Sequence, residues 1–199
     1  HNETNILKKM VLKKMTKLLK NYESSILSKV DGFMTISEVD YNFFHELYPT
    51  IPGVTIPFGL DIDNYEYEEE YLPSDKPELF HIGSMNWLPN REGIEWFLDE
   101  VWEQVLKVYP EVTFTIAGRD MPDEFRARAS ENLKILGEVE DAKRFMLSKD
   151  IMIVPILSGS GVRIKIIEGM ASGKTIITTT IGAEGLDVTD GQNIFIADE

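Results

Sequence analysis

Cysteine is absent from the 199 residues, and histidine occurs only at positions 1, 45 and 81. The first absence removes disulfides, thiolate nucleophiles and Cys-ligated zinc. The second leaves too few imidazoles for a histidine-built metal centre, so no metal is expected. Positive charge is also scarce: 20 Lys and Arg stand against 34 Asp and Glu, a formal net charge of −14. Nucleic acid and anionic bilayers select for condensed positive charge, so neither is expected as a partner. A small phosphorylated ligand stays open, because one local basic pocket suffices for it. No apolar run approaches the roughly eighteen residues of a membrane span, and no secretion signal opens the chain. A cytoplasmic protein is expected. The chain begins His1-Asn2-Glu3 and not with Met, as expected of a piece of a longer protein.

What is present is an ordinary globular composition, 43% hydrophobic and 27% charged, long enough for one core and part of another. Residues 5–29 carry apolar side chains at helical spacing with lysines opposite, and the spacing predicts a packed amphipathic helix with a solvated basic face. A short strand is expected at 32–36. Ser37 then caps a helix over 38–47, with Asp40 as the acidic member of the capping pair. Residues 51–59 read as strand and turn. Residues 61–78 collect acidic side chains among tyrosines and prolines and read as an acidic linker. From residue 79 the pattern is regular, with strands at 79–83, 112–117, 133–136, 151–154, 174–179 and 193–196. Helices fall at 89–107, 122–130, 141–148 and 162–172. Short Val/Ile-rich runs alternating with helices predict an α/β fold, a Rossmann-like three-layer sandwich with a parallel sheet. The division expected is 1–60 as the end of a preceding domain and its crossing, 61–78 as linker, and 79–199 as one complete α/β domain.

Ligands of such sheets bind beyond the carboxyl ends of the strands. Three loops meet that condition. In the first, Gly83 and Ser84 allow close backbone approach, Asn86 and Asn90 offer amides, and Pro89 suits a helix start. Trp87 there is expected to be a packing residue. The second is Gly118-Arg119-Asp120, where Arg119 either meets a phosphate or, as favoured here, pairs with Asp120 or Asp123. The third carries the most information: Ser158, Gly159, Ser160, Gly161 and Val162 precede a helix with Arg163 and Lys165 in its first turns. Glycines and serines ahead of a helix form an anion-accepting nest. Cations at that end are unfavourable without a compensating anion, which points to a diphosphate. Glu168, three residues beyond Lys165, is also placed for an ion pair with it.

Other chemistries fail on spacing. Gly169 to Thr175 lacks the Gly-to-Gly spacing of a P-loop and sits at a helix end before a strand. Gly159-Ser160-Gly161 lacks the third glycine of a dinucleotide fingerprint. No Gly-x-Ser-x-Gly nucleophile elbow follows a strand.

The segment ILSGSGVRIKIIEGMASGKTIITTTIGAEGL resembles the donor-binding signature of the family 4 retaining glycosyltransferases, the glycosyl transferases group 1. GSMNWLPNREGIEWFLDEVW, TFTIAGR, LGEVED, DIMIVP and GAEGLDVTDGQNIFIADE continue the likeness in order over 79–199. VDGFMTISEVDYNFF and TIPFGLDI resemble the end of the preceding acceptor domain. The resemblance implies a GT-B architecture of two Rossmann-like domains, of which the C-terminal one binds a nucleotide sugar, with UDP, GDP or ADP as its nucleotide. It implies metal-independent transfer with retention, and no cofactor.

By the same resemblance, Glu168 matches the second glutamate of the family's E-x7-E motif, which holds the ribose hydroxyls. Ser160 stands where the first glutamate belongs. Arg163 and Lys165 match a basic pair of one branch of the family and would carry the diphosphate. Asn86, Asn90 and Arg91 lie where the family's more widespread basic pair is found. Val139 and Glu140 match the loop that borders the base, and Gly182, Ala183 and Glu184 close the motif. The acceptor, a glycan or a lipid-linked sugar, would be bound by an N-terminal domain largely absent from this chain, in a parent protein peripheral to the inner membrane if the acceptor is lipid-linked. The piece is then expected to bind donor without efficient turnover. The alternatives are an inactive nucleotide-sugar-binding module, or another GT-B enzyme such as a sugar-nucleotide epimerase or a phosphorylase.

Overall fold

In the computed structural model the described residues are 6–65 and 76–198, so residues 66–75 of the expected acidic linker lie outside them. The chain divides into two compact units, His1–Phe58 and Gly59–Glu199.

The first unit contains α1 (Ile6–Ile26), β1 (Phe33–Thr35), α2 (Glu38–Leu47) and β2 (Gly53–Thr55). β1 and β2 pair in parallel. α2 begins where its capping chemistry requires: Ser37 Oγ accepts from the Asp40 N–H at 3.1 Å and donates to the Asp40 carboxylate at 2.7 Å. α1 differs from expectation. It is helical and amphipathic, but none of its residues is buried, and Ile6 and Leu7 are 76% and 73% exposed. Its apolar spacing predicts helix correctly, but no described residue of this unit covers the apolar face. No helix among the described residues is long and apolar enough to cross a membrane.

The second unit alternates strand and helix. Its elements are β3 (Glu78–Ile82), α3 (Leu88–Trp96), α4 (Trp102–Val108), β4 (Thr113–Ala117), α5 (Asp123–Arg126) and β5 (Leu133–Gly137). They continue with α6 (Ala142–Leu147), β6 (Ile151–Val154), α7 (Ile164–Ala171), β7 (Thr175–Thr178) and β8 (Phe195–Ile196). The strands form one six-stranded parallel sheet in the order β5-β4-β3-β6-β7-β8. The chain therefore builds outward from β3 to β5, returns to the other side of β3 with β6, and builds outward again. Between β3 and β6 the direction of winding reverses, and their carboxyl ends open a crevice.

Period-two alternation assigns the two faces of the sheet. Leu79, Phe114, Ile116 and Ile153 point to one side, against Ile94, Phe97, Leu98 and Trp102. Phe80, Met152 and Val154 point to the other, against Met146 and Ile166. Because both faces are covered, the central strands are apolar almost without interruption, and the result is the expected three-layer α/β sandwich.

The single helix expected over 89–107 is interrupted. Residues Phe97–Val101 form a π turn between α3 and α4. Ile94, Leu98, Trp102 and Leu106 recur every fourth residue, so on a 3.6-residue helix they drift off the core face by about 40° at each step. One wider turn corrects the drift and returns Trp102 to Phe114, ring centroids 5.5 Å apart.

α3 also lies unusually close to the end of β6. A Cβ on Gly93 would fall 1.9 Å from the Pro155 carbonyl oxygen, so only glycine permits this approach. Gly→Ala inside a helix ordinarily stabilises by roughly 1 kcal/mol. Here Gly93→Ala is expected to destabilise instead, by about 1–3 kcal/mol, because backbone must move. A urea melt showing the variant as stable as the wild type would refute this packing.

Candidate functional site

The crevice is built first from backbone. The Gly83 N–H donates to the Ala117 carbonyl at 3.0 Å, and the Met85 N–H donates to the Arg119 carbonyl at 3.0 Å. These bonds hold the β3–α3 loop against the β4–α5 loop. Pro89 occupies the first turn of α3, as expected, and Trp87 caps it without a side-chain bond. The Asn90 side chain is buried and donates from Nδ2 to the Ser84 carbonyl at 2.9 Å. Its Oδ1 is thereby turned toward the crevice.

Lys165 enters from α7 on the β6 side. Its Nζ donates to Asn90 Oδ1 at 2.7 Å and lies 3.5 Å from His81 Nε2. A Cβ on Gly83 would sit 2.6 Å from both Lys165 Nζ and Asn90 Nδ2, so the missing side chain at 83 is the space the ammonium occupies. His81 is fully buried, and its Nδ1 donates to the Ile153 carbonyl at 2.8 Å. Burial, reinforced by the Lys165 charge, holds the His81 pKa well below its ordinary value, so the ring is neutral. Burial and then the neighbouring Arg163 charge lower the Lys165 pKa to about 7.

Arg163 stands at the N-terminal boundary of α7 and is only 4% exposed. Its Nη1 donates to the Ser160 and Gly161 carbonyls, both at 2.6 Å, while Nε and Nη2 have no partner. Gly159 and Gly161 take left-handed φ values of 96° and 91°, which turn the loop back over the guanidinium. Burial lowers the Arg163 pKa, and the Glu184 charge opposes that shift. Trp87 is not the expected packing residue. It is 39% exposed, and the Arg163 guanidinium lies 5.2 Å from its ring centroid.

Two ion pairs that spacing allows, of which only the Arg119 pair was favoured, are not formed among the described residues. Lys165 bonds Asn90 and not Glu168, because the crevice lies on the β3 side of the helix while Glu168 faces α6. Arg119 has no carboxylate within ion-pair distance among the described residues, since Asp120 accepts from Ser84 Oγ at 3.1 Å instead. Asp120 itself sits at φ 57°, which directs its carboxylate back to Ser84.

Two clefts flank the crevice. One of about 880 Å³ is lined by Val139, Glu140, Lys143, Phe145 and Glu168, among others. A smaller one of about 210 Å³ is lined by Gly83, Ser84, Arg119 and Val139, among others. Asp141 caps α6 at the rim of the larger cleft, accepting from the Arg144 N–H at 3.0 Å. The fourteen residues expected to form a site thus divide. Gly83, Ser84, Arg119, Val139, Glu140 and Glu168 line the clefts. Ser158, Gly159, Ser160, Gly161, Val162 and Arg163 form the β6–α7 turn, where Ser158 Oγ donates to Glu92 at 3.1 Å. Lys165 joins the two groups, and Asn86 is exposed and lines neither cleft.

Sequence reasoning missed His81 and Tyr65. A lone polar ring inside the buried run Leu79-Phe80-His81 was the available signal for the first. Nothing marked Tyr65, whose hydroxyl donates to Glu168 Oε1 at 3.4 Å and whose ring lies 4.2 Å beneath Lys143 Nζ. Among the described residues no group of three or more His, Cys, Asp and Glu converges as a metal site would require. What the arrangement can do is receive an anion: it presents an ammonium and a guanidinium with free N–H groups, and no carboxylate among the described residues forms an ion pair with either.

A family model described as glycosyl transferases group 1 matches residues 76–199. An uncharacterized 44.6 kDa protein from a cps region of Klebsiella pneumoniae is 24% identical over 206 residues, covering 92% of this chain and 53% of that protein. Phosphatidyl-myo-inositol mannosyltransferase of Mycobacterium tuberculosis strain H37Rv is 29% identical over 172 residues, covering 82% and 44%. The chain spans about half the length of these curated relatives. Among solved structures, S. aureus TarM in a complex that includes UDP superposes with a TM-score of 0.72 at 19% identity, covering 90% of this chain and 36% of that one. Anabaena HepE in complex with UDP-glucose gives 0.61 at 17% identity, covering 89% and 55%. The fold is that of one half of a GT-B protein.

The buried ammonium has a measurable cost. In the unfolded chain Lys165 titrates near its ordinary value of about 10.4, against about 7 in the folded protein. Between those values the unfolded chain holds the extra proton, so stability rises with pH across the window and the penalty is complete below it. Lys165→Met is expected to lose this part of the slope in urea melts of ligand-free protein between pH 7 and 9. Equal slopes for variant and wild type would disprove the assignment.

Proposed function

Because the chain belongs to the glycosyl transferases group 1 family, we propose that it is the donor-binding part of a retaining, metal-independent glycosyltransferase that uses a nucleotide sugar. One observation carries the reading: Arg163 and Lys165 are held at the carboxyl ends of β3 and β6, largely desolvated, with no carboxylate among the described residues paired to either. A leaving nucleoside diphosphate is the anion that matches two such cations a few residues apart at a helix start.

In this reading the free N–H groups of Arg163 and Lys165, with the N-terminus of α7, take up the charge that develops on the diphosphate as the bond to the sugar breaks. That stabilisation comes from side chains already in place, so little reorganisation accompanies the step. Glu168, in the larger cleft, receives the ribose hydroxyls, and Val139 and Glu140 border the base. Gly83, Ser84 and Arg119 line the way between them. Ser158 to Val162 pass beside the diphosphate and sugar, and Asn86 contacts the donor only if it turns inward. The acceptor, a glycan or a lipid-linked sugar, is held by a further domain, and without that wall this chain binds donor but does not turn it over efficiently. A mannosyltransferase among the relatives supports sugar transfer, and structures of the same fold that hold UDP or UDP-glucose support a nucleotide-sugar donor, without choosing among UDP, GDP and ADP.

Ser160 favours a second reading. It stands eight residues before Glu168, where the family's first motif glutamate belongs, and it is exposed. A chain without that carboxylate near the sugar would be a nucleotide-sugar-binding module without transfer activity.

Calorimetric titration with UDP, GDP, ADP and their sugar conjugates decides the donor reading. Saturable binding of one nucleotide is expected, weakened on the order of tenfold to a hundredfold in Glu168→Ala, as for loss of a hydrogen bond to a charged group. Flat titrations with folded protein would overturn it. Sugar transfer by the longer parent protein, absent from this chain alone, separates the transferase from the inactive module.

A further inference from the structure

We infer that His81 is a positioning residue of the anion site: its Nε2 and the Asn90 amide oxygen take two of the three Lys165 protons and aim the third over Gly83 into the crevice. The inference rests on the donor reading and deepens it. The geometry is over-determined on one side. Nδ1 of His81 donates to the Ile153 carbonyl at 2.8 Å, and a carbonyl oxygen only accepts, so the proton is on Nδ1 and the lone pair on Nε2. That lone pair faces Lys165 Nζ at 3.5 Å. Asn90 is fixed in the same way, since Nδ2 donates to the Ser84 carbonyl and leaves Oδ1 to accept from Lys165 at 2.7 Å. Two backbone carbonyls, one from β6 and one from the β3–α3 loop, therefore orient both acceptors, and the acceptors orient the ammonium.

A core histidine with only a structural task needs the Nδ1 bond and nothing at Nε2. Here Nε2 meets the sole cation of α7 that lies over the site. The groups facing Lys165 are few. His81 comes from β3, Asn90 from α3, and Arg163 from the turn ahead of α7. Glu168, on the same helix, accepts from Tyr65, and no carboxylate among the described residues pairs with Lys165. The ammonium therefore keeps its proton through two neutral acceptors alone, against burial and the Arg163 charge. An arriving diphosphate supplies the missing negative charge, raises the Lys165 pKa, and draws a proton from solvent. Donor affinity is then expected to hold up to about pH 7 and to fall above it, by up to about tenfold per pH unit.

The test uses the full chain and whichever of UDP, GDP and ADP binds the wild type. Titrations from pH 6 to 9, in buffers of different ionisation enthalpy, give both affinity and protons taken up. His81→Asn keeps a donor near Nδ1 but removes the Nε2 acceptor, whereas His81→Gln places an amide oxygen near Nε2. His81→Asn is expected to bind about tenfold more weakly at pH 7.5 and to begin its decline at lower pH, with His81→Gln restoring part of both. Nitrogen NMR on the wild type reads the ring directly, so the inference survives a variant that does not fold. A neutral Nδ1–H tautomer between pH 6 and 8 is expected. An Nε2–H ring or an imidazolium, or a His81→Asn protein with the wild-type pH profile, would overturn the inference and leave the donor reading standing. Failure of the wild type to bind all three nucleotides would bring down the donor reading, and the inference with it.

Discussion

Backbone stands where side chains would otherwise be at the centre of this protein, and the site depends on that. Gly93 brings α3 onto the end of β6, and Gly83 leaves a volume the size of a side chain beyond the end of β3. Lys165 Nζ fills that volume. A Cβ at 83 would displace the ammonium and the Asn90 amide, and a Cβ at 118 would fall 1.8 Å from the Gly83 carbonyl oxygen, so the close contact of the two loops depends on Gly118. The reversal of winding between β3 and β6 opens the crevice, and the glycines let charge reach into it.

Charge is the second constraint. The protein carries a net charge of −14, yet among the described residues no carboxylate pairs with Arg163 or Lys165. Each is held by neutral oxygen or nitrogen: the Ser160 and Gly161 carbonyls for one, Asn90 and His81 for the other. Neutral acceptors orient a cation without discharging it, so its field remains for a ligand. The cost is a strongly lowered lysine pKa and orphaned guanidinium N–H groups. Pairing or removing these groups would lift that cost, and leaving them unpaired supports the proposed anion site.

Much of the fold was legible because strands buried on both faces leave a plain mark, a short apolar run, and the helices between them a different period. β6 and α2 fall where pattern and capping place them. The π turn at Phe97–Val101 was not seen as such, although the four-residue recurrence of Ile94, Leu98 and Trp102 contained it. Pairing was read less well. Spacing along a helix offered Glu168 to Lys165, and adjacency offered Asp120 to Arg119, but both carboxylates have other partners. Local spacing shows which groups are within reach. It says nothing of a competing partner 36 or 103 residues away.

By itself, then, the sequence determined the class of fold, the order of its elements and the family, and it singled out the loop on which anion chemistry is proposed. Those follow from periodicity and from residues adjacent in the chain, which are local properties. Tertiary structure alone decided that His81 of β3 and Asn90 of α3 converge on Lys165 of α7, and that Trp87 meets Arg163. It also decided which side of α7 each charge faces. The reason is physical: parallel strands are joined by long crossovers, so the groups that meet at their ends are remote in sequence, and only the register of the assembled sheet brings them together.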